Sequence, residues 1–224
     1  MGSDDLFHKR KAKSARDSAR RQPVRASYDK VLIVCEGAKT EPLYFKELVD
    51  HYEIHSANVT ISGDCGSDPV SVVKHGIQLY DKEKLAGSGP FDKVYCVFDR
   101  DAHPNYLQAQ VDLSNIRKKG VFYAIKSIPC FEYWLLLHFI YKTAPFMAVG
   151  NVSSGAAALR ELKKYWPDYE KAGVGSFSYT LSKLEYAKAN AKRALREAER
   201  NHTDNPSTNI HELVDYLQNI KNGR

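Results

Sequence analysis

Residues 30 to 37 read Lys30-Val-Leu-Ile-Val-Cys35-Glu36-Gly37. The apolar run is rich in β-branched side chains and has no polar interruption, the pattern of a strand covered on both faces in a parallel sheet. It stops abruptly on a carboxylate and a glycine. Thr40-Glu41-Pro42 then offers a cap, an acidic first turn and an early proline, and Leu43, Phe45, Leu48 and Val49 recur at helical spacing. Together these form a βα unit.

The same alternation continues outward. Asn58 to Ser62 reads as a second strand, Gly63 to Gly66 as a loop, and Ser67-Asp68-Pro69 opens a helix whose Val70, Val73, Ile77 and Tyr80 form an apolar stripe. Gly87-Ser-Gly-Pro90 closes that helix. A third strand, Lys93 to Phe98, runs straight into Asp99-Arg100-Asp101. Leu107, Val111, Leu113 and Ile116 suggest a helix ending near Gly120, before a fourth strand at Val121 to Ile125. The predicted fold class is α/β, a mostly parallel four-stranded sheet with flanking helices over residues 28–128. Beyond Pro129 the character changes. Cys130 to Ile140 reads as a buried helix, and Ala156 to Trp166, Leu184 to Arg200 and Ile210 to Leu217 as further helices, so 129–224 is a helical region packed on the sheet.

The chain has 224 residues, 43% of them hydrophobic and 27% charged, which excludes a wholly disordered or collagenous protein. Its formal charge of +6 is unevenly spread. Through Arg25 there are eight basic residues against three acidic ones, a net of +5, so the rest carries about +1. Residues 1–27 therefore read as a basic disordered arm whose Arg20, Arg21 and Arg25 can neutralise phosphates without reading sequence. The 4 cysteines include no C-x-x-C pair, so neither a zinc ribbon nor a disulfide framework is expected. No apolar run is long enough to span a membrane, and a cytoplasmic location is expected.

Chemistry gathers where parallel strands end. Glu36 ends the first strand, and Asp99 and Asp101 end the third; if those strands are neighbours, three carboxylates converge at one sheet edge. Mutual repulsion disfavours such convergence unless a cation offsets it, and an all-oxygen set suits Mg²⁺ or Mn²⁺. Extended backbone puts the two aspartates of D-x-D on one side. Each feature also has a plainer reading, since an acid after a strand is a common turn former or helix cap.

These motifs resemble the Toprim metal-binding pattern of topoisomerases, primases and OLD-type nucleases. More specifically, Cys35 to Phe45, Phe98 to His103, Pro129 to Phe139 and Asn205 to Thr208 resemble the RloB family. The resemblance implies a Toprim-like domain in a prokaryotic antiphage defence or abortive-infection protein, a nuclease often encoded beside an ABC-like ATPase. It assigns Glu36 as the Toprim glutamate and Asp99 and Asp101 as the paired aspartates, all three as metal ligands. Glu41 lies about where OLD-type nucleases place a second acidic residue, though five positions after Glu36 rather than four. Ala102-His103-Pro104 follows D-x-D where topoisomerases tend to continue with an acid and a glycine, which points away from that activity.

For phosphodiester cleavage, Glu36 could be a ligand or the general base. Glu41 is either a ligand or a first-turn carboxylate favoured by the helix dipole. Lys39 and Arg100 could contact phosphate, and His103 could shuttle protons or bind the leaving group, or be a turn residue before Pro104. Glu132, a carboxylate amid Phe131, Tyr133 and Trp134, is costly to bury alone and is expected to support the site; His138 can be a satisfied core group. Tyr141, Tyr165, Trp166, Tyr169 and Tyr179 could stack on bases, although aromatics in a helical region are mostly core. The substrate class this implies is nucleic acid, DNA or an RNA such as tRNA. The rival function is a non-catalytic nucleic-acid-binding subunit of an ATPase-linked defence complex.

Overall fold

The computed structural model describes residues 27–66, 68–100 and 103–222. The basic segment with Arg20, Arg21 and Arg25, and also Asp101, lie outside the described residues.

Strand β1 (Val31–Cys35) is wholly buried, as its unbroken apolar run requires. It pairs in parallel with β2 (Val59–Ser62) on one side and β3 (Lys93–Asp99) on the other, and β3 pairs in parallel with β4 (Phe122–Ile128). Alternate residues of β1 serve two cores. Val31, Ile33 and Cys35 pack with Tyr44, Phe45 and Leu48 of helix α1 (Thr40–His51). Leu32 and Val34 pack with Val72 and Val73 of α2 (Pro69–Leu85) and Ala109 of α3 (Tyr106–Ser114). The sheet is thus covered on both faces, and its order is β2-β1-β3-β4-β5. The chain turns one way from β1 to β2 and the other way to reach β3. That reversal opens a crevice at the carboxyl ends of β1 and β3, where open α/β sheets bind their ligands.

The rest of the chain is helical: α4 (Phe131–Leu136), α5 (Ser154–Tyr165), α6 (Ser176–Thr180), α7 (Leu184–Arg200) and α8 (Ile210–Asn219). Tyr133, Trp134, Leu162, Ala191 and Leu213 extend the first core cluster without a break. Between α7 and α8, β5 (Ser207–Thr208) adds an antiparallel fifth strand beside β4. The expected four-stranded sheet therefore gains an edge. Two residues with no apolar run give no strand signal, and tertiary partners hold them. The Ser127 and Thr208 hydroxyls lie 3.0 Å apart, the Asn209 amide accepts from Lys126 N–H at 2.6 Å, and it donates to the Ala124 carbonyl at 3.0 Å.

Three local expectations are corrected. Helix α4 stops at Leu136, short of Ile140, because the next carbonyl, of Leu137, is taken by the Asn190 side chain at 2.8 Å. Leu107 and Val111 do not form the buried stripe of α3; they are 70% and 50% exposed, and Tyr106 and Ala109 face the core instead. Thr40 does not cap α1. Its hydroxyl accepts from the Ala172 N–H at 3.1 Å, tying the loop before α6 onto α1.

Candidate active site

Glu36 follows β1 directly, and its N–H continues the sheet by donating to the Val97 carbonyl at 3.0 Å. Its side chain turns toward β3. Oε2 accepts from the Asp99 N–H at 3.0 Å, and Oε1 lies 2.8 Å from Nε2 of His103. Asp99, the last residue of β3, accepts from the Phe131 N–H at 3.1 Å, which joins the strand end to α4. The first and third strands are therefore neighbours as expected, with their terminal carboxylates facing across the switch point.

Glu41 is buried in the first turn of α1, and its carboxylate lies over Gly37: a Cβ there would meet Oε2 at 3.0 Å. Gly63, at the end of β2, is needed for the same packing. A Cβ on it would lie 2.4 Å from the Gly37 carbonyl and 2.9 Å from Cα of Ala38, so only glycine admits the loop after β1 this closely. Glu132 enters from the first turn of α4 with 2% exposure. It accepts from the Tyr169 hydroxyl at 3.2 Å and pairs with Lys171 at 3.1 Å.

The electrostatics of this group are those of like charges held together. Burial drives the Glu41 carboxyl up to about 7; its own backbone N–H opposes the rise, Glu132 and Glu36 add to it, and Lys171 moderates it. Asp99 keeps some residue surface, but its carboxyl lies deep. Burial first, then Glu41, Glu132 and Glu36, raise it well above the usual carboxylate range against the pull of the Phe131 N–H. For Lys171 burial favours the neutral amine, yet Glu132 beside it holds the cation above its ordinary value. All four cysteines are free, and burial pushes each thiol upward, Cys65 to about 11 and Cys96 to about 12. None is an activated nucleophile.

The structure thus brings Glu36, Glu41, Asp99, Glu132 and His103 to one edge. Lys39 is exposed beside it at the start of α1. Arg100 turns away and pairs with Asp204, with both side chains near half exposure. A cavity of about 210 Å³ adjoins Arg100, lined by Pro129, Phe146, Met147 and Asn205 among others. His138 belongs to the core: its Nδ1 contacts the carbonyls of Trp134 and Leu135, and burial lowers its pKa to about 4. Lys171 escaped sequence reasoning, and Tyr169, read there as a base-stacking or core aromatic, is a buried donor to Glu132. They sit in a loop without helical or strand period, and only the buried Glu132, which needs a partner, hinted that a cation or donor must approach.

The donor chemistry, carboxylate oxygens that raise one another's pKa, fits a hard divalent cation. Among the described residues, no three His, Cys, Asp or Glu side chains are gathered into a metal-ligand set as they stand, and Asp101 lies outside those residues.

Fold and site together define an α/β protein with an acidic centre at the switch point of a mostly parallel sheet. Residues 31–217 match the family model described as RloB-like protein, and the chain belongs to the RloB-like family. No curated protein and no solved structure matches the chain. No helix among the described residues is long and apolar enough to cross a membrane.

Proposed function

We propose that this chain is a divalent-metal-dependent nuclease of Toprim-like type that cleaves phosphodiester bonds in DNA or RNA and serves antiphage defence. The observation that carries this reading is the placement of Glu36 and Asp99 on neighbouring strand ends at the switch point, with Glu41 and Glu132 near enough to raise the carboxyl pKa values there. Glu36, Asp99, Asp101 and Glu41 would hold Mg²⁺ or Mn²⁺, which supplies charge neutralisation at the scissile phosphate and a lowered pKa for the attacking water.

The chain's own residues complete the chemistry. Glu36 has one oxygen on the Asp99 N–H and the other on His103, so the carboxylate is oriented and a proton reaching it can pass to the half-exposed imidazole. Asp99 is fixed by the Phe131 N–H rather than left to rotate. Glu132, held by Tyr169 and Lys171, contributes a buried negative charge without facing solvent, and Lys171 keeps the cluster from being wholly anionic. Lys39, exposed at the start of α1, would meet phosphate from the solvent side.

The test is turnover of a mixed DNA and RNA panel with Mg²⁺ or Mn²⁺. Wild type should cleave at least one member, and Glu36→Ala and Asp99→Ala should not. Equal cleavage by all three proteins would sink the proposal.

A further inference from the structure

One aromatic surface of the helical region is used by nothing described so far. Phe139, Tyr165, Trp166 and Tyr179 come from three separate segments, yet their rings form one cluster. Tyr179 lies flat on Trp166, with centroids 4.2 Å apart and planes 18° from parallel. Tyr165 stacks on Phe139 at 6.4 Å and 22°, and Phe139 and Tyr179 stand 6.4 Å apart. Aromatic side chains in a helical region should be core, and Tyr169 obeys that rule at 1% exposure. Tyr165 and Tyr179 do not: they remain 40% and 56% exposed. Lys183 places its ammonium 4.3 Å from the Phe139 ring centroid, adding a cation to the patch.

The cluster is tied to α1 and packed against a buried partner of the site. Glu47 accepts from the backbone N–H groups of Gly175, Phe177 and Ser178, which fixes α6 and with it Tyr179. Trp166 packs on Tyr169 at 5.0 Å, and the hydroxyl of Tyr169 donates to Glu132. Through Trp166 and the buried Tyr169, the exposed Tyr179 ring is thus linked by packing to the buried Glu132.

We infer that this aromatic patch is a stacking platform for single-stranded nucleic acid, which carries an unpaired strand into the acidic centre. The inference rests on the nuclease reading of that centre and names its substrate class. Rings with open faces recognise the π-faces of bases without regard to sequence, and duplex bases hide those faces in their own stack. The Lys183 ammonium beside the rings complements the phosphates that flank each stacked base.

The test is anisotropy of fluorescently labelled single strands, DNA and RNA, and of a duplex of the same length. The full chain carries Glu36→Gln so that nothing is cut. Adding Tyr179→Ala should weaken single-strand binding about 5- to 150-fold while duplex binding stays as it was. Tyr179→Phe, which keeps the ring, should restore it, and Tyr165→Ala is a second exposed variant should the first fold poorly. Unchanged single-strand affinity in both alanine variants would overturn the inference. So would loss of self-association in Tyr179→Ala with strand affinity intact, since the patch would then seat a second copy. Wild-type turnover separates the two proposals. Strand binding that needs Tyr179 without any cleavage keeps the platform and removes the nuclease; cleavage indifferent to Tyr179→Ala does the reverse.

Discussion

Two polar clusters lie at the carboxyl side of the same sheet, one where β1 meets β3 and one where β4 meets β5. They have opposite electrostatic character. At β4–β5 the Asn209 amide takes both a donor and an acceptor from β4, Ser127 meets Thr208, and the Asn205 amide pairs with the N–H and carbonyl of Phe146. Donor meets acceptor throughout. At β1–β3 carboxylates face one another, and two of them are driven toward the protonated form. A satisfied neutral network is what holding an edge strand requires. Like charges buried together stabilise nothing by themselves, so the contrast supports the proposal that the β1–β3 cluster is where the chemistry is done.

The largest expected effect separates the two clusters by activity. Glu36→Gln and Asp99→Asn should each lower phosphodiester cleavage by about 10²- to 10⁴-fold, the range for losing a positioned base or ligand. Their melting temperatures should hold or rise, since each removes a charge from a repelling group. Asn209→Ala should show the converse, full cleavage per folded molecule at reduced stability. Matched kinetics and thermal melts on the three variants would expose any overlap between the roles.

The next effect is pH dependence in metal-free protein. A folded carboxyl raised from its ordinary value to about 7 contributes stability that is complete below the ordinary value and is lost as pH rises through 7. In chelator, Glu41→Gln should therefore be more stable than wild type at pH 8, by at most about 3 kcal/mol, and no more stable near pH 4. His138 has the opposite sign. Its lowered pKa costs stability only as pH falls from the ordinary histidine value toward about 4, so it adds no slope above pH 7. His138 is common to both proteins, so the difference in denaturant midpoint between wild type and Glu41→Gln, followed from pH 4 to 8, isolates the acidic edge; a difference that stays flat across that range would contradict the cluster.

Third comes the cost of the neutral edge. Asn209→Ala leaves the Lys126 N–H and the Ala124 carbonyl without their partner, about 2 kcal/mol. That is roughly 4 to 8 °C of melting temperature for a chain of this size. Asn209→Asp keeps the acceptor and should fall between the two. A melt of Asn209→Ala that overlays wild type would mean the β5 edge is held by packing alone.

This difference also explains what was legible in the sequence. The four parallel strands announce themselves because strands buried on both faces must be unbroken apolar runs, and Glu36 and Asp99 show because they end those runs. β5 is held by amides and hydroxyls whose partners lie about eighty residues away, and side-chain hydrogen bonds leave no period to read. Lys171 was hidden for the same reason, reaching Glu132 from a loop that Thr40 ties down. The helical spacing of Leu107 and Val111 misled because the sheet face above α3 is filled by Tyr106 and Ala109. His103 was legible as a neighbour of the acidic pair, but its partnership with Glu36 follows only from the strand order.

The smallest effect concerns Arg100, a residue that joins the two clusters. Arg100 follows Asp99 of the acidic edge in sequence, yet its guanidinium pairs with Asp204, just ahead of β5. Both side chains are near half exposure, so screening leaves the pair worth less than about 1 kcal/mol. A pair this weak is easily exchanged for a phosphate, which can accept from the guanidinium at higher charge. Asp204→Ala should therefore leave stability nearly unchanged and lower KM a few-fold by freeing Arg100. Arg100→Ala should raise KM and reduce the salt slope of binding by about one phosphate. If both variants match wild type in KM and in salt slope, Arg100 belongs to the neutral edge alone, and the two clusters are joined through the paired backbones of β3 and β4 rather than through its side chain.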